Sequence, residues 1–334
     1  MTRNLLTDVA GISVGNAHDE ALASGATAIL FETPAVAALD IRGGGPGTRD
    51  SALLDLANTV ERIDGLALSG GSAFGLETGG GIQAWLAAQG RGFAIGDARV
   101  PIVPGAVVFD LLNGGNKKWG RFSPYRDLGF AAAENATTDD FALGNAGAGY
   151  GATTANYKGG LGSASTTVLD GITVAALAVV NAVGTVTVGD GPWFWSAPFE
   201  ENGEFGGRGL PPAFTPDMRT ARLKGADNAR AGENTTLVVV ATDAALTKPQ
   251  ARRLAILAQT GFARAIYPAH APLDGDIVFA VSLGDKPVEP LYGLTQLGMF
   301  AANVVARAIA RGVYEAHALP FADTLPAWRD RFGT

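Results

Sequence analysis

The chain has no cysteine and only three histidines, His18, His270 and His317. Disulfides, thiolate metal sites and cysteine nucleophiles are thereby excluded. The histidines form no spaced pair of the kind that builds a zinc site. With histidine so scarce, hydroxyls, carboxylates and lysines are the first candidates for chemistry, and two short stretches set such residues against a strand. Asn234-Thr235-Thr236 immediately precedes Leu237-Val238-Val239-Val240-Ala241, a sharp β signal. Asp274 and Asp276 lie just before Ile277-Val278-Phe279. Residues two apart in extended backbone face the same side, so both carboxylates can aim at one point. Near an ammonium they would hold it and raise its pKa; near each other, one tends to stay protonated. On residue types alone, each stretch has an ordinary alternative, a loop end and an Asp-Gly turn.

Other motifs fail on inspection. Gly70-Gly71-Ser72-Ala73-Phe74 comes close to the serine-hydrolase elbow, but Phe74 takes the last glycine position and no histidine pairs with Ser72. Gly147-Ala148-Gly149-Tyr150-Gly151 lacks the full dinucleotide fingerprint and a preceding strand. Asn135-Ala136-Thr137 and Asn234-Thr235-Thr236 match the glycosylation sequon, yet the first residues lack the apolar run of a secretory signal. The formal net charge of −7 and the absence of a Lys/Arg run argue against nucleic acid. The uncharged stretch from Leu291 to Ala306 is shorter than the ~20 residues of a membrane span. It reads as a buried helix, and the protein as soluble and cytoplasmic.

The elements that must position these residues follow from periodicity. Strands are expected at Ala26–Phe31, Ile172–Val180, Leu237–Ala241 and Ile277–Ser282, and helices at Gly75–Gln89, about Pro249–Ala263 and about Leu294–Arg311. Asn181-Ala182-Val183-Gly184 reads as a turn and Thr185–Val188 as a return strand. Residues 200–233, rich in Gly, Pro, Arg and Asp, read as a mobile surface loop. With strands and helices on both sides of that loop, 334 residues form one mixed α/β domain.

Several stretches, in order and over nearly the whole chain, resemble the P1 peptidase family. That group of self-processing hydrolases includes L-aminopeptidase/D-amidase-esterases, β-aminopeptidases and nylon-oligomer hydrolases. The stretches include Leu6–Gly15, Asp40–Arg49, Leu68–Leu76, Val103–Asp110, Lys158–Gly162, Val179–Asn181, Asn234–Thr236 and Leu273–Asp276. The resemblance implies a layered αββα sandwich, shared with ornithine acetyltransferases, with two central sheets covered by helices. It also implies autoproteolysis between Asn234 and Thr235. One domain would then consist of two chains, 1–234 and 235–334, with Thr235 as an N-terminal nucleophile. The freed α-amine, with a reference pKa of about 7.7–8.0, can take the proton of its own hydroxyl. The loop ahead of the cut would withdraw and open the site.

By the same resemblance, Asp274 and Asp276 orient and polarise the nucleophile. Asn181 serves the oxyanion, a task for a fixed neutral donor, and Lys158 lies near the site. As residues alone, Asn181 is equally a turn asparagine and Lys158 equally a surface lysine. Phe109 stands where many relatives carry a tyrosine whose hydroxyl serves the oxyanion; a backbone N–H near Gly70 and Gly71 is the expected substitute. Arg42 and Arg49 can grip a substrate carboxylate or pair at the surface. Trp193 and Trp195 could line an apolar pocket, but packing is the expected role. Neither metal nor cofactor is required, and a homotetramer of processed heterodimers is implied. The expected activity is hydrolysis of small peptides or amino-acid amides. An endo-acting oligoamide hydrolase, an acyltransferase and a non-catalytic scaffold stand as alternatives.

Overall fold

The computed structural model describes residues 2–168, 171–226 and 234–333. Its strands are β1 (Ile12–Asp19), β2 (Ser24–Ile41), β3 (Gly47–Arg49), β4 (Arg62–Ser69), β5 (Phe93–Ile95), β6 (Ala98–Val100), β7 (Gly105–Val107), β8 (Gly160–Val168), β9 (Ile172–Asn181), β10 (Thr235–Ala244) and β11 (Ile277–Lys286). The helices are α1 (Thr78–Ala88), α2 (Tyr125–Glu134), α3 (Lys248–Ala258), α4 (Thr260–Ala265), α5 (Tyr292–Tyr314) and α6 (Trp328–Phe332).

The expected α/β sandwich is present, with one difference in how its middle is joined. Hydrogen bonds run through a single nine-stranded sheet in the order β3-β7-β4-β2-β11-β10-β9-β8, with β1 also on β2. The long strand β2 links the two halves. Its register with β4 shifts between Leu30 and Ala35, around the exposed Glu32-Thr33-Pro34, where proline supplies no ladder donor. Before the shift, Ala26, Ala28 and Leu30 pack under α1 and α2 with Ile82 and Leu86; beyond it, Val36 and Ala38 meet Ala251 of α3. The other face of β2 (Ile29, Phe31, Ala37, Leu39) closes on Leu177, Val179, Leu237, Val239, Ile277 and Phe279. A second core, between β8–β11 and α3–α5, takes the alternate residues Val238, Val240, Val278 and Ala280. Strands covered on both faces carry unbroken apolar runs, which is why Ile172–Asn181 is buried at every position.

Local chemistry sets the boundaries. Thr247 and Gln250 form a capping box at the start of α3, with Pro249 in its first turn. The single helix expected from Pro249 to Ala263 is two, α3 and α4, meeting at the buried Gln259, whose side chain donates to the Asp40 carbonyl at 2.8 Å. Thr185–Val188 is not a return strand: Thr185 bridges Tyr267 and Thr187 bridges Phe194, so the segment turns away from β9. Helix α5 lies almost directly on β8, because Gly160, Gly162 and Gly312 carry no side chains between the backbones. Within the loop expected at 200–233, three residues are anchored to the body of the fold. Phe205 is buried in the helix-side core, Glu204 ion-pairs with the buried Arg307, and Lys224 reaches Asn181. Residues 227–233 lie outside the described residues.

Candidate active site

Thr235 opens β10 and pairs in register with Asn181, the last residue of β9. Directly opposed residues of an antiparallel pair share a face. That face also carries Leu237 and Val179, so both side chains point into the space between the sheet halves. Thr235 is buried, and its hydroxyl donates to the Asn234 carbonyl oxygen of the peptide group expected to be cut. The same oxygen accepts the Gly275 N–H at 3.0 Å. The Thr235 hydroxyl and a backbone donor thus meet on one carbonyl oxygen, which keeps the hydroxyl beside the carbonyl group and sets the Gly275 N–H where charge would grow on that oxygen. Gly275 must be glycine here, since a Cβ would stand 2.6 Å from the Thr235 hydroxyl oxygen.

The two carboxylates flank this linkage from the approach to β11. Asn234 and Asp274 form a parallel bridge. Asp276 accepts the Thr236 N–H at 2.8 Å through one oxygen. Its other oxygen accepts the His270 N–H at 3.0 Å and lies 2.9 Å from Nδ1 of the His270 ring. Asp274 accepts Val183 N–H at 3.2 Å and Ala271 N–H at 3.1 Å. Burial and the neighbouring Asp276 carboxylate push Asp274 up to about 7. Among the described residues, neither carboxylate bonds the Thr235 hydroxyl itself: Asp276 holds the Thr236 N–H, and Asp274 holds the N–H groups of Val183 and Ala271.

Beside Asn181 lies a cavity of about 370 Å³, lined among others by Phe109, Asp110, Thr153, Lys158 and Lys224. Lys158 is not a surface lysine: it is 1% exposed, and Nζ donates to the carbonyls of Gly159 at 2.8 Å and Gly149 at 3.2 Å. Burial, opposed by Asp110 and aided by Lys224, brings its ammonium down to about 7. Asp110 is raised by burial, despite Lys117 and hydrogen bonds from Ser24 at 2.6 Å and Gly71 N–H at 2.7 Å. The Asn181 amide donates to the Phe109 carbonyl at 3.0 Å, while its oxygen receives Thr153 N–H at 3.0 Å and Lys224 Nζ at 2.9 Å. Phe109 therefore contributes a backbone acceptor where a tyrosine hydroxyl would be a donor.

Two expected roles are not met by this geometry. The N–H groups of Gly70 and Gly71 are not turned to the cavity: Gly70 donates to the Gly25 carbonyl and Gly71 to Asp110. A side chain at either would collide with Asp110 or Tyr125, which explains the glycines without catalysis. Arg42 takes the other expected role, pairing with Asp40 at 2.6 Å, and its backbone N–H donates to the Asp276 carbonyl, so its guanidinium props the β2 end instead of lining the cavity. Among the described residues, no group of three or more His, Asp or Glu is placed to hold a metal ion. Sequence reasoning missed the Gly275 donor, His270 and Lys224. The Asp274-Gly275-Asp276 motif carried a signal for the first; His270 and Lys224 sit in irregular segments whose partners are distant in sequence.

This chain belongs to Peptidase family S58, whose model matches residues 4–325, and it is a hydrolase. It is 43% identical to the uncharacterized aminopeptidase of Mycobacterium tuberculosis H37Rv, over 98% of both chains. It is 28% identical to the 6-aminohexanoate-oligomer endohydrolase of Kocuria sp., covering 90% of this chain and 84% of that one. In fold it resembles the L-aminopeptidase D-Ala-esterase/amidase of Ochrobactrum anthropi, described as a variant of the Ntn hydrolase fold, with a TM-score of 0.71, 20% identity, and coverage of 97% of this chain and 89% of that one. A β-aminopeptidase of Burkholderia sp. superposes with a TM-score of 0.67 at 20% identity, over 98% and 91% of the two chains. The family expected from the motifs and the mixed α/β sandwich both stand.

Proposed function

We propose that the chain cuts itself between Asn234 and Thr235 and then hydrolyses amide bonds of small peptides or amino-acid amides through Thr235. The observation that carries this reading is the hydroxyl of Thr235 seated on the Asn234 carbonyl, with the Gly275 N–H on the same oxygen. In the first reaction the hydroxyl oxygen bonds the Asn234 carbonyl carbon. The C–N bond breaks and the nitrogen takes the hydroxyl proton. Water then hydrolyses the ester, leaving a carboxylate on Asn234 and an amine on Thr235. Gly275 N–H meets the charge that grows on the Asn234 oxygen.

In turnover, the new amine takes the Thr235 hydroxyl proton as the oxygen attacks a substrate carbonyl. Asn181, on the same face, supplies the donor for the substrate oxyanion. Asp274 and Asp276 fix the backbone that carries the nucleophile, and Lys158 stands in the cavity wall with an ammonium that gives up its proton near neutrality. Water resolves the acyl-enzyme. Family membership and the mycobacterial relative favour release of N-terminal residues. An endo-acting hydrolysis of oligoamides is the second reading, supported by the 28% relative of Kocuria sp.. A panel of L-, D- and β-amino amides alongside 6-aminohexanoate oligomers separates the two. Turnover confined to substrates with a free amine next to the scissile bond fits the first reading; internal cuts in the oligomers fit the second. Turnover that survives Thr235→Ala contradicts both.

A further inference from the structure

We propose that Lys224, on the segment ahead of the cut, stays in the mature site as the positioning residue that aims and polarises the Asn181 amide. The inference rests on the reading that Thr235 is the nucleophile and Asn181 its oxyanion donor. Lys224 Nζ lies 2.9 Å from the Asn181 side-chain oxygen and 3.2 Å from the Thr153 carbonyl. Its backbone N–H donates to the Val183 carbonyl at 2.8 Å, and the Val183 N–H in turn donates to Asp274 at 3.2 Å. Lys224 is therefore anchored to the turn after β9 by main chain as well as side chain, and it lines the cavity with Lys158.

The chemistry of the amide gives this anchor a purpose. A primary amide can flip, exchanging its donor and acceptor ends. An ammonium offers only donors, so beside it the oxygen end is fixed and the NH₂ end must face the other way. The Thr153 N–H fixes the same end without charge. The cation adds polarisation: drawing electron density toward the oxygen makes the opposite N–H a stronger donor. Gly275 N–H, not Asn181, meets the carbonyl that breaks in self-cutting. Lys224 should then matter for turnover and not for maturation. The segment ahead of the cut accordingly does not withdraw as a whole: its course up to Lys224 remains docked on the cavity.

The test compares wild type, Lys224→Met and Lys224→Arg by intact mass under denaturing conditions and by steady-state kinetics on an amino-acid amide that the wild type hydrolyses. Lys224→Met is expected to mature to the same two pieces and to lose kcat by roughly 10- to 100-fold with KM little changed. Lys224→Arg, which keeps the cation, is expected to recover most of the loss. Wild-type kcat in Lys224→Met overturns the inference. So does failure of Lys224→Met to mature, which would make Lys224 part of the fold or of the cutting step, and so does a loss that arginine does not rescue. A wild-type chain that stays uncut fails the underlying reading instead, and the wild-type sample alone reveals it.

Discussion

At the scale of single residues, the site is a set of donors and acceptors around one peptide bond. Gly275 does two jobs: its N–H meets the Asn234 oxygen, and its missing side chain leaves room for the Thr235 hydroxyl. Gly275→Ala should therefore slow self-cutting by roughly 100-fold, the scale of a displacement of about 1 Å at a reacting group. A time course of intact mass on freshly purified protein measures it; cutting at the wild-type rate would contradict the placement. Asn181→Ala should leave the pieces formed but lower kcat by roughly 10²- to 10³-fold, the range for losing one oxyanion donor. Lys158 and Asp274, both held near 7, have opposite linkage to stability. Asp274 is raised from 3.8, so its contribution is full below about 4 and is lost as pH climbs through 7. Lys158 is lowered from 10.5, so its contribution is full above about 10.5 and is lost as pH falls through 7. Lys158→Met removes the second term. The Tm of wild type relative to this variant should rise from pH 7 to pH 10, and a constant difference in thermal melts would refute it. The residues that the motifs single out, Thr235, Asn181, Asp274, Asp276 and Lys158, come together in the structure around the ends of β9 and β10 and the start of β11. Lys224 and His270 were illegible because nothing local in sequence marks a side chain whose partner lies across the fold.

At the scale of elements, apolar runs told strands and helices apart well where burial is two-sided, as in β9, β10, β11 and α5. They misled where tertiary contacts override periodicity. The expected single helix is α3 and α4, meeting at the buried Gln259, whose side chain bonds the Asp40 carbonyl. Thr185–Val188 alternates like a strand but finds Tyr267 and Phe194 in place of β9. The glycines of β8 have an equally distant cause. A Cβ on Gly162 would stand 1.9 Å from the Ala308 carbonyl oxygen of α5, so helix and strand would have to part. Gly162→Ala, made in the uncut Thr235→Ala background, should lose at least about 1–3 kcal/mol, the usual range for overpacking a core. Urea unfolding of the two chains compares them; equal midpoints would show that the β8–α5 contact is looser than described.

At the scale of the whole molecule, the expected cut falls where it can alter chemistry without dividing the fold. Strands β10 and β11 come from the part after Thr235, yet they sit in the middle of the sheet between β2 and β9. Both cores mix side chains from the two sides of the cut. The pieces should therefore remain one particle in native gel filtration and separate only in denaturant. A mixed α/β chain followed from the order of strands and helices, and the layering from the family resemblance alone. The single hydrogen-bonded sheet, joined through β2, did not, because a strand that changes partners midway looks locally like any other. The proposed chemistry requires the Thr235 hydroxyl to become the side chain of an N-terminal residue. The most direct measurement is the intact mass of the purified protein under denaturing conditions, for wild type and Thr235→Ala. The account predicts two pieces, residues 1–234 and 235–334, for wild type and one unbroken chain for the variant. Active wild-type protein with Asn234 and Thr235 still joined, or a cut that persists in Thr235→Ala, would contradict it.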